Sequence, residues 1–147
     1  MNRLRYLIYT ILLLVFNSSI VFYNLQKPDK ETLLLLNNNV VFEGKITKIQ
    51  KSNNHAFGII TLLPLKSSVN EFSKKAKSGI YPYRISNNLI ELYCTVSVDR
   101  KIGDLIRVIS KDFTIYYNPQ NSNEKGSLYV INDSYNIGYV KENTQFK

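Results

Sequence analysis

The 147-residue chain is poor in the residues that build covalently linked or metal-bound cores. It contains one cysteine, Cys94, one histidine, His55, and no tryptophan. A single cysteine excludes an intramolecular disulfide, and with a single histidine it excludes the common zinc clusters. The carboxylates are not clustered either, so we predict neither a metal nor another cofactor. A chain of this length can fold as one domain without such support.

Acidic residues are also scarce, because 11 Asp and Glu stand against 19 Lys and Arg, for a formal net charge of +8. Such an excess suits a polyanionic partner, whether nucleic acid, anionic lipid headgroups or an acidic glycan. The cations are diffuse, and the dense run of Lys74, Lys75 and Lys77 is typical of a solvated surface. Lys45 and Lys48, three apart in a predicted strand, point to opposite faces unless a bulge intervenes.

Long apolar runs are confined to the N-terminus, where Arg3 and Arg5 precede a hydrophobic stretch that ends near residue 25. About twenty helical residues, at about 1.5 Å each, span a hydrocarbon core of about 30 Å. We predict an uncleaved anchor within segment 1–26, with residues 4–25 in the membrane; the alternative is a signal peptide cut near Ser19. Abundant Asn, Lys and Ile indicate a bacterial source. The positive-inside rule then places the C-terminal domain outside the inner, cytoplasmic membrane.

Beyond the anchor, residues 27–39 are predicted to be a juxtamembrane stem, either a short helix or an extended apolar segment. Over residues 40–147, short apolar or alternating runs separated by turn residues predict a mainly β domain, a small antiparallel barrel. We predict strands at residues 40–50, 56–63, 80–86, 89–98, 105–110, 113–117, 127–131 and 136–140.

Local signals mark two of the connections. Asn87 and Asn88 suit a two-residue hairpin turn, because asparagine tolerates a positive φ. A helix is predicted between the second and third strands, where Ser68 and Glu71 have the spacing of a capping box and Gly79 is placed as a stop.

The first predicted hairpin, "GKITKIQKSNNHAFGII", carries a recognisable motif. It resembles the first hairpin of cold-shock proteins, which belong to the oligonucleotide-binding (OB) barrel fold, and this resemblance implies an OB-like barrel and nucleic-acid binding. The matching residues are Gly44, Lys45, Ile46, Phe57, Gly58 and Ile60. Ala56 and Ile59 replace a glycine and the second aromatic of the motif, which leaves Phe57 beside His55 nearly alone as a base-stacking platform. We therefore interpret the match as architectural and do not expect a nucleic-acid partner.

Cys94 and His55 raise an enzymatic alternative, because a thiolate paired with an imidazole is a strong nucleophile. An anchored barrel with Cys94, His55 and a later Arg107 resembles the sortase transpeptidases, which implies a cysteine-dependent transpeptidase or hydrolase with these three catalytic residues. The local sequence "IELYCTV" departs from the Thr-Leu-x-Thr-Cys motif of that family. Alternation along this strand places Cys94 on the apolar side with Leu92, so we predict a buried thiol and no catalytic residue.

Tyrosines are the remaining candidates. Neighbouring residues of a strand point to opposite faces, so one of Tyr116 and Tyr117 is expected to be exposed. Exposed tyrosines near a cation suit contacts with a peptide or a glycan. The predicted binding residues are Tyr81, Tyr83, Arg84, Tyr116, Tyr117, His55 and Phe57. The whole chain resembles small bacterial envelope proteins, and we predict a membrane-anchored binding or assembly module, with an envelope protein or glycan as partner, and not an enzyme.

Overall fold

The computed structural model of the chain describes Tyr9 and residues 30–54, 56–97 and 99–146. Apart from Tyr9, the predicted anchor lies outside these residues, and so does His55. Within the described ranges, no helix combines the length and the hydropathy that a bilayer crossing requires. The anchor and the topology therefore stay predictions.

The described chain is mainly β, as predicted, and its seven antiparallel strands form one sheet that curls into a half-barrel. The strands are β1 (Val41–Lys51), β2 (Phe57–Ser67), β3 (Tyr83–Ser86), β4 (Leu89–Thr95), β5 (Leu105–Ile109), β6 (Thr114–Tyr117) and β7 (Lys125–Ser127). Their order across the sheet is β3-β4-β2-β1-β5-β6-β7. The two longest strands lie near the centre and short strands form both edges, which limits the unpaired backbone that an edge presents.

Within the described residues, two helices flank the sheet, α1 (Lys30–Leu36) before it and α2 (Ser134–Asn143) after it. A 3₁₀ turn (Ser110–Asp112) joins β5 to β6. Of the two forms considered for the apolar stem, the helix is the one observed. The predicted hairpin turn at Asn87 and Asn88 is confirmed, because Ser86 pairs directly with Leu89.

Two bulges, one in each strand, interrupt the pairing of β1 with β2. The register shifts between Glu43 and Gly44, where β2 holds the extra residue, and between Ile46 and Lys48, where β1 holds it. Bulges bend a strand and increase its twist, which a curled sheet requires. Gly44 permits the first bend, because an added Cβ would lie 2.9 Å from the Cβ of Leu62.

The sheet has an apolar cluster on each face. The inner cluster fills the half-barrel, and α1 contributes Leu36 to it. The outer cluster consists of Phe57, Ile59, Tyr93, Ile131 and Val140, the last of which belongs to α2. Strand β4 is therefore buried on both faces.

Helix α2 replaces the strand predicted at residues 136–140. "SYNIGYV" is rich in residues that favour strands, but the Asp133 side chain accepts a hydrogen bond from the backbone N–H of Asn136 at 2.9 Å and caps a helix. Burial of Val140 against the outer cluster then holds the helix on the sheet. Tertiary packing has overridden the local preference.

Residues 68–80 form a loop and not the predicted helix. Ser68 does not cap a helix; its hydroxyl accepts a hydrogen bond from the backbone N–H of Val41 at 3.0 Å. Phe72 exchanges backbone hydrogen bonds of 2.9 Å with Ile85, so the loop covers part of the β3 edge. The backbone N–H groups of Ser68 and Phe72 thus donate to carbonyl oxygens of the sheet and not to a helix.

The strand predicted at 127–131 is also misplaced, since β7 ends at Ser127. Ile131 instead forms an isolated bridge with Ile80, with backbone hydrogen bonds of 2.8 and 2.9 Å. This bridge joins the segments that adjoin the two edge strands of the half-barrel.

Candidate binding surface

The structure does not bring Cys94 and Arg107 together. Cys94 is 1% exposed in the inner cluster on β4, which confirms its predicted burial. Burial raises the pKa of this thiol to about 12, against a smaller lowering by its hydrogen bond with Tyr117. Arg107 is exposed on β5, and β2 and β1 lie between the two strands. At neutral pH the thiol is therefore protonated, away from solvent and without this cation beside it.

Two of the predicted contact tyrosines lie inside the half-barrel. Tyr81 and Tyr83 are buried, and their hydroxyl oxygens lie 3.3 Å apart. Tyr83 donates to Oγ of Ser110 at 3.0 Å, and Tyr81 accepts from the amide of Asn38 at 2.7 Å. Burial raises the pKa of Tyr83 above its usual range. A tyrosine can enter a core when its hydroxyl has partners there, so these two build the interior and not a contact surface.

Tyr117 and Phe57 are buried as well. Tyr117 lies under the guanidinium of Arg100, whose Cζ is 4.1 Å from the ring centroid, and Arg100 forms an ion pair with Glu124. Phe57 belongs to the outer cluster beneath α2, where its ring meets that of Tyr139 edge-on. Neither ring presents a free face for a base or a sugar.

A buried carboxylate lies on the outer face of β4. Glu91 is 0% exposed, and its carboxylate accepts hydrogen bonds from the Tyr93 hydroxyl at 2.9 Å and the Thr144 hydroxyl at 2.5 Å. It also accepts the backbone N–H of Gln145 at 2.8 Å. Glu91 therefore fastens the segment after α2 onto the sheet. The alternation of β4 predicted an outward glutamate but gave no sign of what would cover it.

Arg84, the charged member of the predicted binding set, contacts the same segment. Its Nη1 donates to the carbonyl oxygen of Phe146 at 3.0 Å, and its Cζ lies 4.6 Å from the centre of the Phe146 ring. Arg84 and Glu91 are cross-strand neighbours on β3 and β4. We assign this pair to the attachment of residues 144–146.

The uncovered part of the outer face carries a row of polar side chains that crosses five strands. Glu43 of β1 pairs with Lys66 of β2 on one side and with Arg107 of β5 on the other. Arg107 pairs with Tyr116 of β6, and Tyr116 pairs with Lys125 of β7. The Lys125 Nζ lies 5.2 Å from the centre of the half-exposed Tyr116 ring, a cation–π arrangement.

The second bulge adds two lysines to this face. Because Ile46 pairs with Leu62 and Lys48 with Thr61, the strand gains one residue, and Lys45 and Lys48 come to the same side. Both lysines are exposed. The bulge thus removes the opposed orientation that an unbulged strand would impose.

We call the resulting surface the cationic face; it comprises Lys45, Lys48, Lys66, Arg107 and Lys125. The charged residues of strands β1, β2, β5, β6 and β7 are Lys45, Lys48, Lys51, Lys66, Arg107, Lys125 and Glu43. Glu43 is thus the one carboxylate on these strands. It lines an open groove of about 300 Å³ together with Lys66 and Arg107.

In the described ranges, no three His, Cys, Asp or Glu side chains are grouped so that they could hold a metal ion. Comparisons of the chain with models of protein families, with curated proteins and with solved structures found no match. The function is therefore inferred from the geometry of this chain.

Proposed function

We propose that the chain is a non-enzymatic binding module for an anionic partner, anchored by residues 4–25 on the outer side of a bacterial cytoplasmic membrane. The cationic face is its binding surface. The observation that carries the proposal is the gathering of exposed cations from four strands around one carboxylate, Glu43. A surface of one dominant sign raises the local concentration of oppositely charged partners and speeds their association.

The state of Cys94 favours binding over catalysis. A cysteine nucleophile requires a lowered thiol pKa and access to substrate, whereas burial raises this pKa to about 12. Arg107, the cation of the sortase-like alternative, lies on the outer face of the sheet, whereas Cys94 lies on the inner face.

The aromatic residues favour a partner recognised by its charge over a nucleic acid recognised by its bases. Base stacking requires exposed rings, yet Phe57 and Tyr117 are buried and Tyr116 is half-buried. We retain the OB-like barrel as an architectural proposal, which the bulged pairing of β1 with β2 and the curl of the sheet support.

Binding can be tested with the full chain in zwitterionic nanodiscs, using dextran sulfate as the anionic probe and uncharged dextran as its control. We expect dextran sulfate to bind and uncharged dextran not to bind. The triple variant Lys45→Gln, Lys66→Gln, Arg107→Gln should weaken binding by more than about tenfold, since each exposed cation contributes electrostatic attraction. Added salt should weaken binding by the parent chain, because exposed charges are screened.

A matched triple variant separates this surface from the net charge. Lys74→Gln, Lys75→Gln and Lys77→Gln remove the same charge from the exposed loop of residues 68–80. We expect this variant to keep most of the affinity. Equal losses in the two triple variants would contradict the proposal, because the total charge alone would then account for binding.

The anchoring is tested separately in intact spheroplasts. The positive-inside arrangement of Arg3 and Arg5 predicts that added protease digests the domain from Val40 onward. Full protection of the domain would show that it lies on the cytoplasmic side and would refute this topology.

A further inference from the structure

Exposed leucines border the cationic face. Leu63 and Leu65, in the second half of β2, are 50% and 51% exposed. Leu63 pairs with Lys45 of the neighbouring strand β1. Leu65 is the extra residue of the first bulge and precedes Lys66. The pairing of β2 with β4 ends at Leu62, so β4 does not flank these leucines.

A third exposed apolar residue lies in the turn before β5, where Ile102 is 73% exposed. This turn adjoins β1, because the backbone N–H of Gly103 donates to the carbonyl oxygen of Ile46 at 2.9 Å. Exposed apolar residues therefore occur on β2 and in the turn before β5, the two neighbours of β1.

We infer that the partner of the cationic face is the surface of an anionic lipid bilayer. This inference rests on the proposed function and names its partner. A polysaccharide or a nucleic acid would neutralise the cations but leave the leucines in water. An anionic membrane interface accepts both, because headgroup phosphates attract Lys and Arg while the boundary of the acyl chains takes up exposed leucines.

Docking can be measured with the full chain in nanodiscs. The variant Leu65→Cys, labelled with the environment-sensitive fluorophore NBD, reports whether this edge enters an apolar medium. The parent chain, treated with the same reagent, shows whether the buried Cys94 takes up label. We expect a blue shift of NBD emission in nanodiscs rich in phosphatidylglycerol and none in nanodiscs of phosphatidylcholine alone. A label at Glu142→Cys, on the exposed side of α2, should not shift in either.

Two further variants test the chemistry in the labelled background. Lys66→Gln should lower the ratio of docked to undocked domain about fivefold, the change expected for one cation near an anionic leaflet. Leu63→Asn should also lower this ratio, because an apolar contact is lost. The matched substitutions Lys141→Gln and Tyr135→Ser, at exposed positions of α2, should leave it unchanged.

The outcomes distinguish this inference from the proposed function. A blue shift restricted to anionic nanodiscs and reduced by both Lys66→Gln and Leu63→Asn supports the lipid partner. If no shift occurs while dextran sulfate still binds the cationic face, the lipid partner is overturned and the proposed function stands. If neither binds, both fail. An equal shift in both kinds of nanodisc would also overturn the inference, since lipid charge would then not select the surface.

Discussion

Removal of the Glu91 carboxylate is expected to be among the most damaging single changes to the described domain. Glu91 accepts three hydrogen bonds, from the Tyr93 hydroxyl, the Thr144 hydroxyl and the Gln145 backbone N–H. A hydrogen bond to a charged group contributes about 1.5–3 kcal/mol, so the low end gives about 4.5 kcal/mol for three. In Glu91→Ala, release of residues 144–146 lets these donors bind water, which offsets part of the loss. We therefore expect a loss of about 3–4 kcal/mol in the free energy of unfolding.

Two other substitutions calibrate this value. Glu91→Gln keeps the shape and one acceptor oxygen but replaces the other oxygen with a donor, so we expect a smaller loss of about 1.5–3 kcal/mol. Glu43→Gln removes a carboxylate from the half-buried surface of β1, where a charge pair contributes at most about 1 kcal/mol. The expected order of destabilisation is Glu91→Ala, then Glu91→Gln, then Glu43→Gln.

Urea unfolding of the full chain in a non-ionic detergent, followed by far-UV circular dichroism, measures these differences. The released segment 144–146 should also become sensitive to carboxypeptidase in Glu91→Ala. A loss below about 1 kcal/mol with the segment still protected would refute the reasoning. It would mean that the cost of burying the charge cancels its hydrogen bonds and that other contacts hold the segment.

Three further predictions concern the thiol of Cys94 and the packing at two glycines. Burial raises the Cys94 pKa from 9.0 to about 12, so the unfolded chain loses this proton first, and the stability it provides is lost as the pH rises from about 9 to about 12. Between pH 8 and 10, the free energy of unfolding measured in urea should fall by roughly 1.4 kcal/mol more for the parent than for Cys94→Ala. Equal falls in the two chains would contradict this prediction. Gly58→Ala should destabilise by about 2 kcal/mol or more, because the new Cβ would lie 2.3 Å from the Gln50 carbonyl oxygen. Gly138→Ala in α2, with nothing within 4 Å of the new Cβ, should stabilise by about 0.5–1 kcal/mol, and the reverse order in thermal unfolding would count against the packing described.

Local sequence was sufficient where a segment's structure depends on its own residues and its nearest turn. Strand β4 follows from the alternation in "LIELYCTV", and its hairpin with β3 follows from Asn87 and Asn88. The burial of Cys94 follows from the same alternation, because one side of a strand with apolar residues at every second position packs into a core. These features need no knowledge of distant parts of the chain.

Other features depend on which distant segment reaches a given surface. The tyrosine pair Tyr81 and Tyr83 is interior because Asn38 and Ser110 supply partners for the hydroxyl groups. Helix α2 is a helix because Asp133 caps it and the outer cluster accepts Val140. The partners of the tyrosines and of Val140 leave no signal in the local pattern. Asp133 favours an N-cap, but the strand propensity of "NIGYV" points the other way.

The sequence by itself determined that the chain is mainly β and carries an excess of positive charge, since strand patterning and residue type are local properties. Only the tertiary structure decided where that charge gathers. Lys45 and Lys48 share a face because a bulge inserts one residue between them, and the pairing of β1 with β5 brings Arg107 beside Glu43 although many residues separate them in the chain. The register of hydrogen bonds between strands sets these distances, and it is a property of the assembled sheet that no single strand carries alone.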